Sequence, residues 1–201
     1  MLPPNREPQA QKRFEENAYV LDSLPYGHPR DTRPLYRREP LVQAIGEDFF
    51  TLLELIPAQG AVFKPRERIS IGRWGRDKVD HVKRRIDYEE LTQSAKDELQ
   101  GVVEEIVAKN EARFVNFFNN SGPVTTRMHS LELLPGIGKK AMWQILEERK
   151  KAPFKSFDDI QARAKVADPK KVIVRGYSWR YSTRTSTTSS ASRPSRRRSD
   201  G

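Results

Sequence analysis

The spacing of apolar residues changes once along this 201-residue chain, and the change restricts the folds open to it. Residues 18–86 contain short runs rich in β-branched and aromatic residues, separated by proline and glycine. From residue 92 onwards, apolar residues recur every three or four positions, as on one face of an α-helix. We therefore predict an α+β protein, with a small closed or half-open β-barrel over residues 18–88 and a helical domain over residues 89–175.

Strand signals fill the first half of the chain. Residues 18–24 and 62–72 each predict one strand, and residues 40–57 predict two strands joined by a turn at Gly46-Glu47-Asp48. The second strand of this pair has apolar residues on both faces, which indicates a position inside the sheet. Residues 77–86 fit either a fifth strand or a short helix, because their spacing does not distinguish the two.

Capping residues mark the helices of the second half. We expect Thr92 to cap a helix that ends near Asn110, Ser156 to cap a later helix, and Asp168 to cap a last one. The first of these helices presents an apolar stripe of Leu99, Val102, Val103, Ile106 and Val107. A helix over residues 111–120 would turn its apolar residues inward, namely Phe114, Val115, Phe117 and Phe118.

Charge and composition exclude several classes of protein. The formal net charge is +10, which predicts a polyanionic partner. Without cysteine, the chain can have no disulfide scaffold, cysteine nucleophile or thiolate metal site. No apolar run is long enough to span a membrane, and the first twenty residues lack the apolar core of a secretion signal. We therefore expect a cytoplasmic protein.

Both ends of the chain are polar. Residues 1–17 predict a flexible leader. Residues 176–201 contain eight Ser, four Thr and six Arg against one acid, so we expect a disordered tail that begins at residue 176.

The most informative motif lies within residues 125–151. An amphipathic helix with Met128, Leu131 and Leu134 at three-residue spacing would end at Pro135. A second helix would follow, with Ala141, Met142, Ile145 and Leu146 inward. Between them, Gly136 and Gly138 permit close approach of an outside group, and Ile137 can fill the apolar space between the helices. The free N–H groups that begin the second helix lie beside Lys139 and Lys140, which predicts a phosphate-binding site.

This hairpin resembles the helix-hairpin-helix motif of proteins that bind nucleic acid without sequence specificity. The resemblance implies that backbone amides of Gly136, Ile137 and Gly138 hold one phosphate, that a monovalent cation can bind at the turn, and that no base is read. No other cofactor is implied.

Residues 18–175 as a whole resemble an uncharacterised archaeal family, the domain of unknown function 655. The supporting stretches are residues 19–29, 40–55, 75–92 and 129–160. The resemblance implies a barrel similar to the OB-fold joined to a helix-hairpin-helix unit, with RNA as the presumed ligand.

The hairpin also admits other interpretations. Gly136-x-Gly138-x-x-Ala141 fits a dinucleotide-binding fingerprint, but that fingerprint needs a preceding strand, and the spacing before Pro135 is helical. The hairpin can also be a plain turn that packs two helices. Three isolated histidines, His28, His81 and His129, show no zinc-binding spacing.

A basic stretch over residues 64–85 is the candidate second contact surface. Its members would line one side of the barrel, with Trp74 as a stacking platform for bases. An alternative is a solvated face with no ligand, and the same two interpretations hold for Arg37 and Arg38. The candidate residues are Arg66, Arg68, Arg73, Trp74, Arg76, Lys83, Arg84 and Arg85.

We thus predict a non-enzymatic nucleic-acid-binding protein, with RNA favoured over DNA and no membrane partner. The sequence identifies no catalytic residue and no metal ligand. A nuclease or a nuclease accessory is one alternative, and a protein-interaction adaptor in ribosome-related assemblies is another. The oligomeric state is left open.

Overall fold

The computed structural model describes residues 14–72 and 75–184 of the chain. It is an α+β protein, so the predicted fold class is confirmed. The chain divides into two compact units between Arg85 and Ile86, three residues before the predicted boundary after residue 88. No helix among the described residues has the length and apolarity needed to cross a membrane.

Residues 14–72 and 75–85 of the first unit form a five-stranded antiparallel sheet in the shape of a half-open barrel. Its strand order is β4-β1-β2-β3-β5, so β4 and β5 lie at its two ends. The segment at residues 77–86 is a strand, which resolves the alternative left open by its spacing. The strands are β1 (Asn17–Leu24), β2 (Leu41–Gly46), β3 (Leu52–Pro57), β4 (Arg68–Ser70) and β5 (Val79–Arg85).

Strand β3 confirms the prediction made from its two apolar faces. It pairs with β2 on one side and with β5 on the other. Leu53 and Leu55 belong to the barrel core, which also contains Val20, Val42 and Ile69. Leu52 and Glu54, on the opposite face, are buried as well.

The expected flexible leader is wrong for its last residues. Asn17 already belongs to β1. The Glu15 side chain is 7% exposed, and its carboxylate accepts hydrogen bonds from the backbone N–H groups of Asp48, Phe49 and Thr51 at 2.8–3.1 Å. These contacts fix residues 15–17 on the β2–β3 turn, because they satisfy donors that would otherwise be partly buried without a partner. Residues 1–13 lie outside the described part.

Over its described residues, 86–184, the second unit contains five α-helices and a short β-hairpin. As predicted, the Thr92 hydroxyl caps α1 by accepting the N–H of Ala95 at 3.1 Å. In α2, Phe114, Val115 and Phe118 are buried, but Phe117 is 38% exposed and lies off the buried stripe, contrary to the prediction. The elements are α1 (Gln93–Lys109), α2 (Glu111–Asn120), β6 (Pro123–Thr125), β7 (Met128–His129), α3 (Lys139–Lys151), α4 (Phe157–Ala164) and α5 (Pro169–Arg184).

Helix α5 overturns the predicted start of the tail at residue 176, because it continues to Arg184. Its Ile173 and Val174 are buried, and the Tyr177 ring meets the Phe114 ring edge-on at a centroid distance of 6.4 Å. These tertiary contacts sustain a helix that from Gly176 onwards contains serine, threonine and aromatic residues, all weaker helix formers than alanine. Residues 185–201, the rest of the predicted tail, lie outside the described part.

Candidate nucleic-acid interface

The candidate phosphate site is the loop of residues 134–140, which leads into α3. Ile137 is buried and anchors the loop, as predicted, while its neighbours Gly136 and Gly138 are exposed. A hydrogen bond from the Ile137 N–H to the Leu134 carbonyl oxygen, 3.0 Å long, closes the turn. The backbone on either side of Ile137 therefore faces solvent in a fixed conformation.

Helix α3 begins with unsatisfied N–H groups. Its first backbone hydrogen bond from the loop runs from the Met142 N–H to the Gly138 carbonyl oxygen at 2.9 Å. Gly138 is the N-cap and has no side chain that could cap the helix. Among the described residues, the N–H groups of Gly138, Lys139, Lys140 and Ala141 have no hydrogen-bond partner. They form an anion-binding arrangement at the positive end of a thirteen-residue helix.

Two ammonium groups add to this positive end. Lys139 and Lys140 are exposed, and within the described part of the chain neither forms an ion pair. The first turn of α3 contains no acidic residue. The charge at the loop is therefore available to an anion from solvent.

The two glycines of the loop differ in backbone conformation. Gly136 has φ of +92°, a left-handed conformation that other residues adopt only with strain. Gly138 has φ of −84° and ψ of 175°, which any residue can adopt. A Cβ at Gly138 would lie more than 4 Å from the surrounding heavy atoms. The packing around position 138 therefore leaves room for a side chain. A side chain there would, however, obstruct the close approach of an outside group to the backbone.

The element before the loop differs from the prediction. Residues 123–129 form the β6–β7 hairpin, and Ser130–Leu133 form a single 3₁₀ turn in place of an amphipathic α-helix. A capping box starts this turn: the His129 N–H donates to Glu132 at 2.9 Å, and His129 Nδ1 accepts the Leu131 N–H at 3.2 Å. Because Pro135 follows five residues after Ser130, the segment has no room for a full helix.

The basic residues of the barrel are not assembled into an open face. Lys83 bonds Glu39 at 2.9 Å, and this contact lowers the pKa of the Glu39 carboxyl. Arg84 bonds the buried Glu54 directly across the β3–β5 pair, also at 2.9 Å. These ion pairs neutralise charge that the prediction assigned to nucleic acid. Lys83 and Arg84 therefore fit better the alternative of a solvated face with no ligand.

The other arginines lie on β4, on β5 and in the connections beside these strands. Arg68, on β4, bonds Glu47 at 2.7 Å. Arg76 donates through Nε to the carbonyl oxygens of Ile71 and Gly72. Arg66 is exposed, as is Arg85. Arg73 and Trp74 lie outside the described residues, so the predicted stacking platform stays a prediction.

A family model described as "Protein of unknown function (DUF655)" matches residues 14–179, which include parts of both units. The chain belongs to this family. It is 50% identical over 162 residues to the uncharacterized protein MJ0038 of Methanocaldococcus jannaschii, covering 81% of this chain and 71% of the relative. It is also similar to the crystal structure of Af1531 from Archaeoglobus fulgidus, assigned to DUF655. That match has a TM-score of 0.76 and 50% identity over 86% of this chain and 97% of the other.

The DUF655 match begins at residue 14 and ends at residue 179. It thus includes Glu15, the 134–140 loop and two thirds of α5. The family pattern therefore extends beyond both predicted limits of the folded region, residues 18 and 175.

One exposed aromatic residue of this DUF655 chain escaped the sequence prediction. Trp143 is 60% exposed on α3, one helical turn after Lys139. Residues four apart share a helix face, so its indole lies on the same side of α3 as the Lys139 ammonium. The four-residue spacing of Lys139 and Trp143 in the predicted helix could have indicated that the two side chains share a face.

Histidines and acids supply no metal centre in the part of the chain that the structure describes, where no three His, Cys, Asp or Glu residues come together. His129, one of the three isolated histidines, is buried in the capping box before the 134–140 loop.

Proposed function

We propose that this DUF655 protein binds nucleic acid through the sugar–phosphate backbone, RNA in preference to DNA, without reading base sequence and without catalysis. The observation that carries the proposal is the start of α3, where four N–H groups without partners among the described residues meet two unpaired lysines. Gly138 supports it, because the N-cap without a side chain leaves the backbone N–H groups around it open to an approaching phosphate.

The proposed contact is that of a helix-hairpin-helix hairpin whose first helix is reduced to a 3₁₀ turn. The phosphate contact in such hairpins comes from the loop and the second helix, so the 134–140 loop followed directly by α3 supports the proposal. The monovalent cation implied by the resemblance and the cytoplasmic location stay predictions.

A single phosphate on one helix start contributes little affinity, about 0.3–1 kcal/mol from the helix dipole. Lys139 and Lys140 add charge-assisted contacts that release counterions from the nucleic acid. Useful binding still requires a second surface. The predicted surface on the barrel is largely occupied by ion pairs with Glu39, Glu47 and Glu54.

The test replaces Gly138 and compares it with a matched glycine. Gly122 is also exposed, also lacks a positive φ, and also has open space around its Cβ position. Gly138→Val and Gly138→Glu should weaken binding to labelled single-stranded, duplex and hairpin RNA at least tenfold, to a similar degree for unrelated sequences. Gly122→Val and Gly122→Glu should bind as the wild type does.

Thermal unfolding of all four variants should stay cooperative. The Gly122 variants should match the wild type, and Gly138→Val should lose about 1 kcal/mol at most, because valine caps a helix less well than glycine. Unchanged affinity in the Gly138 variants would remove the 134–140 loop from the mechanism. The affinity of the wild type for DNA of the same sequence and length, compared with its affinity for the RNA, measures the preference for RNA. Cleavage of the labelled RNA with magnesium, at a rate that survives contaminant controls, would support the nuclease alternative.

A further inference from the structure

The connection between β1 and β2 is long for two neighbouring antiparallel strands. It spans residues 25–40, whereas hairpin connections usually have about two to five residues. Connections of this length inside a compact unit commonly carry function. We call it the β1–β2 loop.

Large aromatic side chains of this loop point into solvent. Tyr26 is 77% exposed and Tyr36 is 81% exposed, the two most exposed aromatic side chains among the described residues. The Arg37 guanidinium lies over the Tyr36 ring, 5.6 Å from its centroid. A rigid ring with a cation beside it can stack a nucleobase and contact the adjoining phosphate.

The loop backbone is fixed by its own contacts, so the rings are presented on a rigid support. A Cβ on Gly27 would lie 2.8 Å from the Arg38 Cβ, which shows that the two arms of the loop touch. Arg38 Nε donates to the Arg33 carbonyl oxygen at 2.7 Å. Such preorganisation lowers the entropy cost of binding.

Ion pairs further stabilise the conformation of the β1–β2 loop. Arg33 forms a two-pronged ion pair with Asp31 at 2.8–3.0 Å and lowers the pKa of that carboxyl to about 2. The other acid of the loop, Glu39, bonds Lys83 on β5.

The charge of the loop favours an anionic ligand. It contains four arginines and two acids, and each acid is held by a base. An apolar docking surface for a protein would call for aliphatic side chains, of which the loop exposes only one large example, Leu35.

We propose that the β1–β2 loop is a binding site for single-stranded nucleic acid, in which Tyr26 and Tyr36 each stack on an unpaired base and Arg37 contacts a phosphate. This inference rests on the proposed function and adds the class of ligand to it. Bases inside a duplex are already stacked on each other and closed to a protein ring, so the loop selects single strands. Stacking does not depend on base identity, so the site tolerates any sequence.

The experiment uses the full chain and two RNA ligands of equal charge, a labelled single strand and a perfect duplex. Tyr26→Ala and Tyr36→Ala should each reduce affinity for the single strand about fivefold or more. Affinity for the duplex should change less than twofold. Tyr26→Phe and Tyr36→Phe retain the rings and should bind as the wild type does, and Leu35→Ala, in the same loop, is the control for apolar contact.

A single strand that contains 5-bromouridine gives a direct readout, and photocrosslinks should map to Tyr26 or Tyr36. Full single-strand affinity in both alanine variants would overturn the inference. An equal reduction of affinity in Leu35→Ala would also overturn it, since that result indicates an apolar docking surface.

The outcomes separate the two proposals. Weaker binding in Gly138→Val with normal binding in the tyrosine variants would leave the proposed function standing and remove the β1–β2 loop. Weaker binding in the tyrosine variants with normal binding in Gly138→Val would keep the loop as a single-strand site and remove the 134–140 loop. A wild-type protein that binds neither RNA would overturn both.

Discussion

Gly176 of α5 lies directly against Leu134: a Cβ at Gly176 would be 3.1 Å from Leu134 Cδ2 and 3.5 Å from Pro135 Cδ. Helix α5 can approach the 134–140 loop this closely because residue 176 has no side chain. The last helix therefore packs directly against the first residues of the loop that carries the candidate phosphate site.

Gly176→Leu should displace the loop. Overpacking of this kind costs about 1–3 kcal/mol, partly offset by about 1 kcal/mol from the better helix propensity of leucine. We expect a lower midpoint in urea unfolding and weaker RNA binding. Ser178→Leu, at an exposed position on the same helix, is the control and should change neither. Wild-type stability together with wild-type binding in Gly176→Leu would contradict the supporting contact.

Features with local signals were predictable from the sequence. Thr92 and Ser156 cap α1 and α4 as predicted, because a cap depends on an N–H only three residues away. The 134–140 loop and the start of α3 were placed correctly for the same reason, since proline fixes φ and glycine admits left-handed conformations at their own positions.

Features that depend on distant contacts were missed. The partners of Glu15 lie 33–36 residues further along the chain, so its segment looked like a flexible leader. The contacts of α5 with Phe114 and Leu134 join residues even further apart in the chain, so its second half looked like a tail. On the barrel, Arg84 and Glu54 meet only through strand pairing, and a count of charges along the chain cannot anticipate such ion pairs.

Removal of the two loop lysines should flatten the salt dependence of binding. Lys139→Gln with Lys140→Gln should reduce the slope of log K against log salt by about 0.7–0.9 for each phosphate that the protein no longer neutralises. The control is Lys150→Gln with Lys155→Gln, which removes the same charge from exposed positions away from the loop. Equal slopes for the two double variants would show that only net charge matters and that the α3 start has no special role.

Glu15 should be a major source of stability in the first unit. Glu15→Gln replaces one acceptor oxygen by a donor that faces backbone N–H groups, so we expect the free energy of unfolding to fall by about 1–3 kcal/mol. Glu16→Gln changes the neighbouring exposed carboxylate and should cost less than about 0.5 kcal/mol. Gly46→Ala should also destabilise, because its Cβ would overlap the Glu15 carboxyl group. A stable Glu15→Gln protein would mean that the first described residues contribute little to the fold.

Asp168 should make the stability of α5 depend on pH. Its Oδ1 accepts the Lys171 backbone N–H at 2.9 Å, and this hydrogen bond and the Lys171 ammonium lower the pKa of Asp168 from 3.8. Because the charged form is favoured in the folded state, the stabilisation is complete above about pH 4 and is lost as the pH falls through the lowered pKa.

Asp168→Asn keeps a capping oxygen but does not titrate, so urea unfolding should show a smaller decrease of stability between pH 5 and pH 2 than the wild type. Ser156→Ala removes a cap that carries no charge and should cost about 1 kcal/mol at every pH. Parallel stability curves for the wild type and Asp168→Asn over this range would show that the Asp168 carboxylate is not coupled to folding, since a group with the same pKa in both states leaves no trace in the pH dependence.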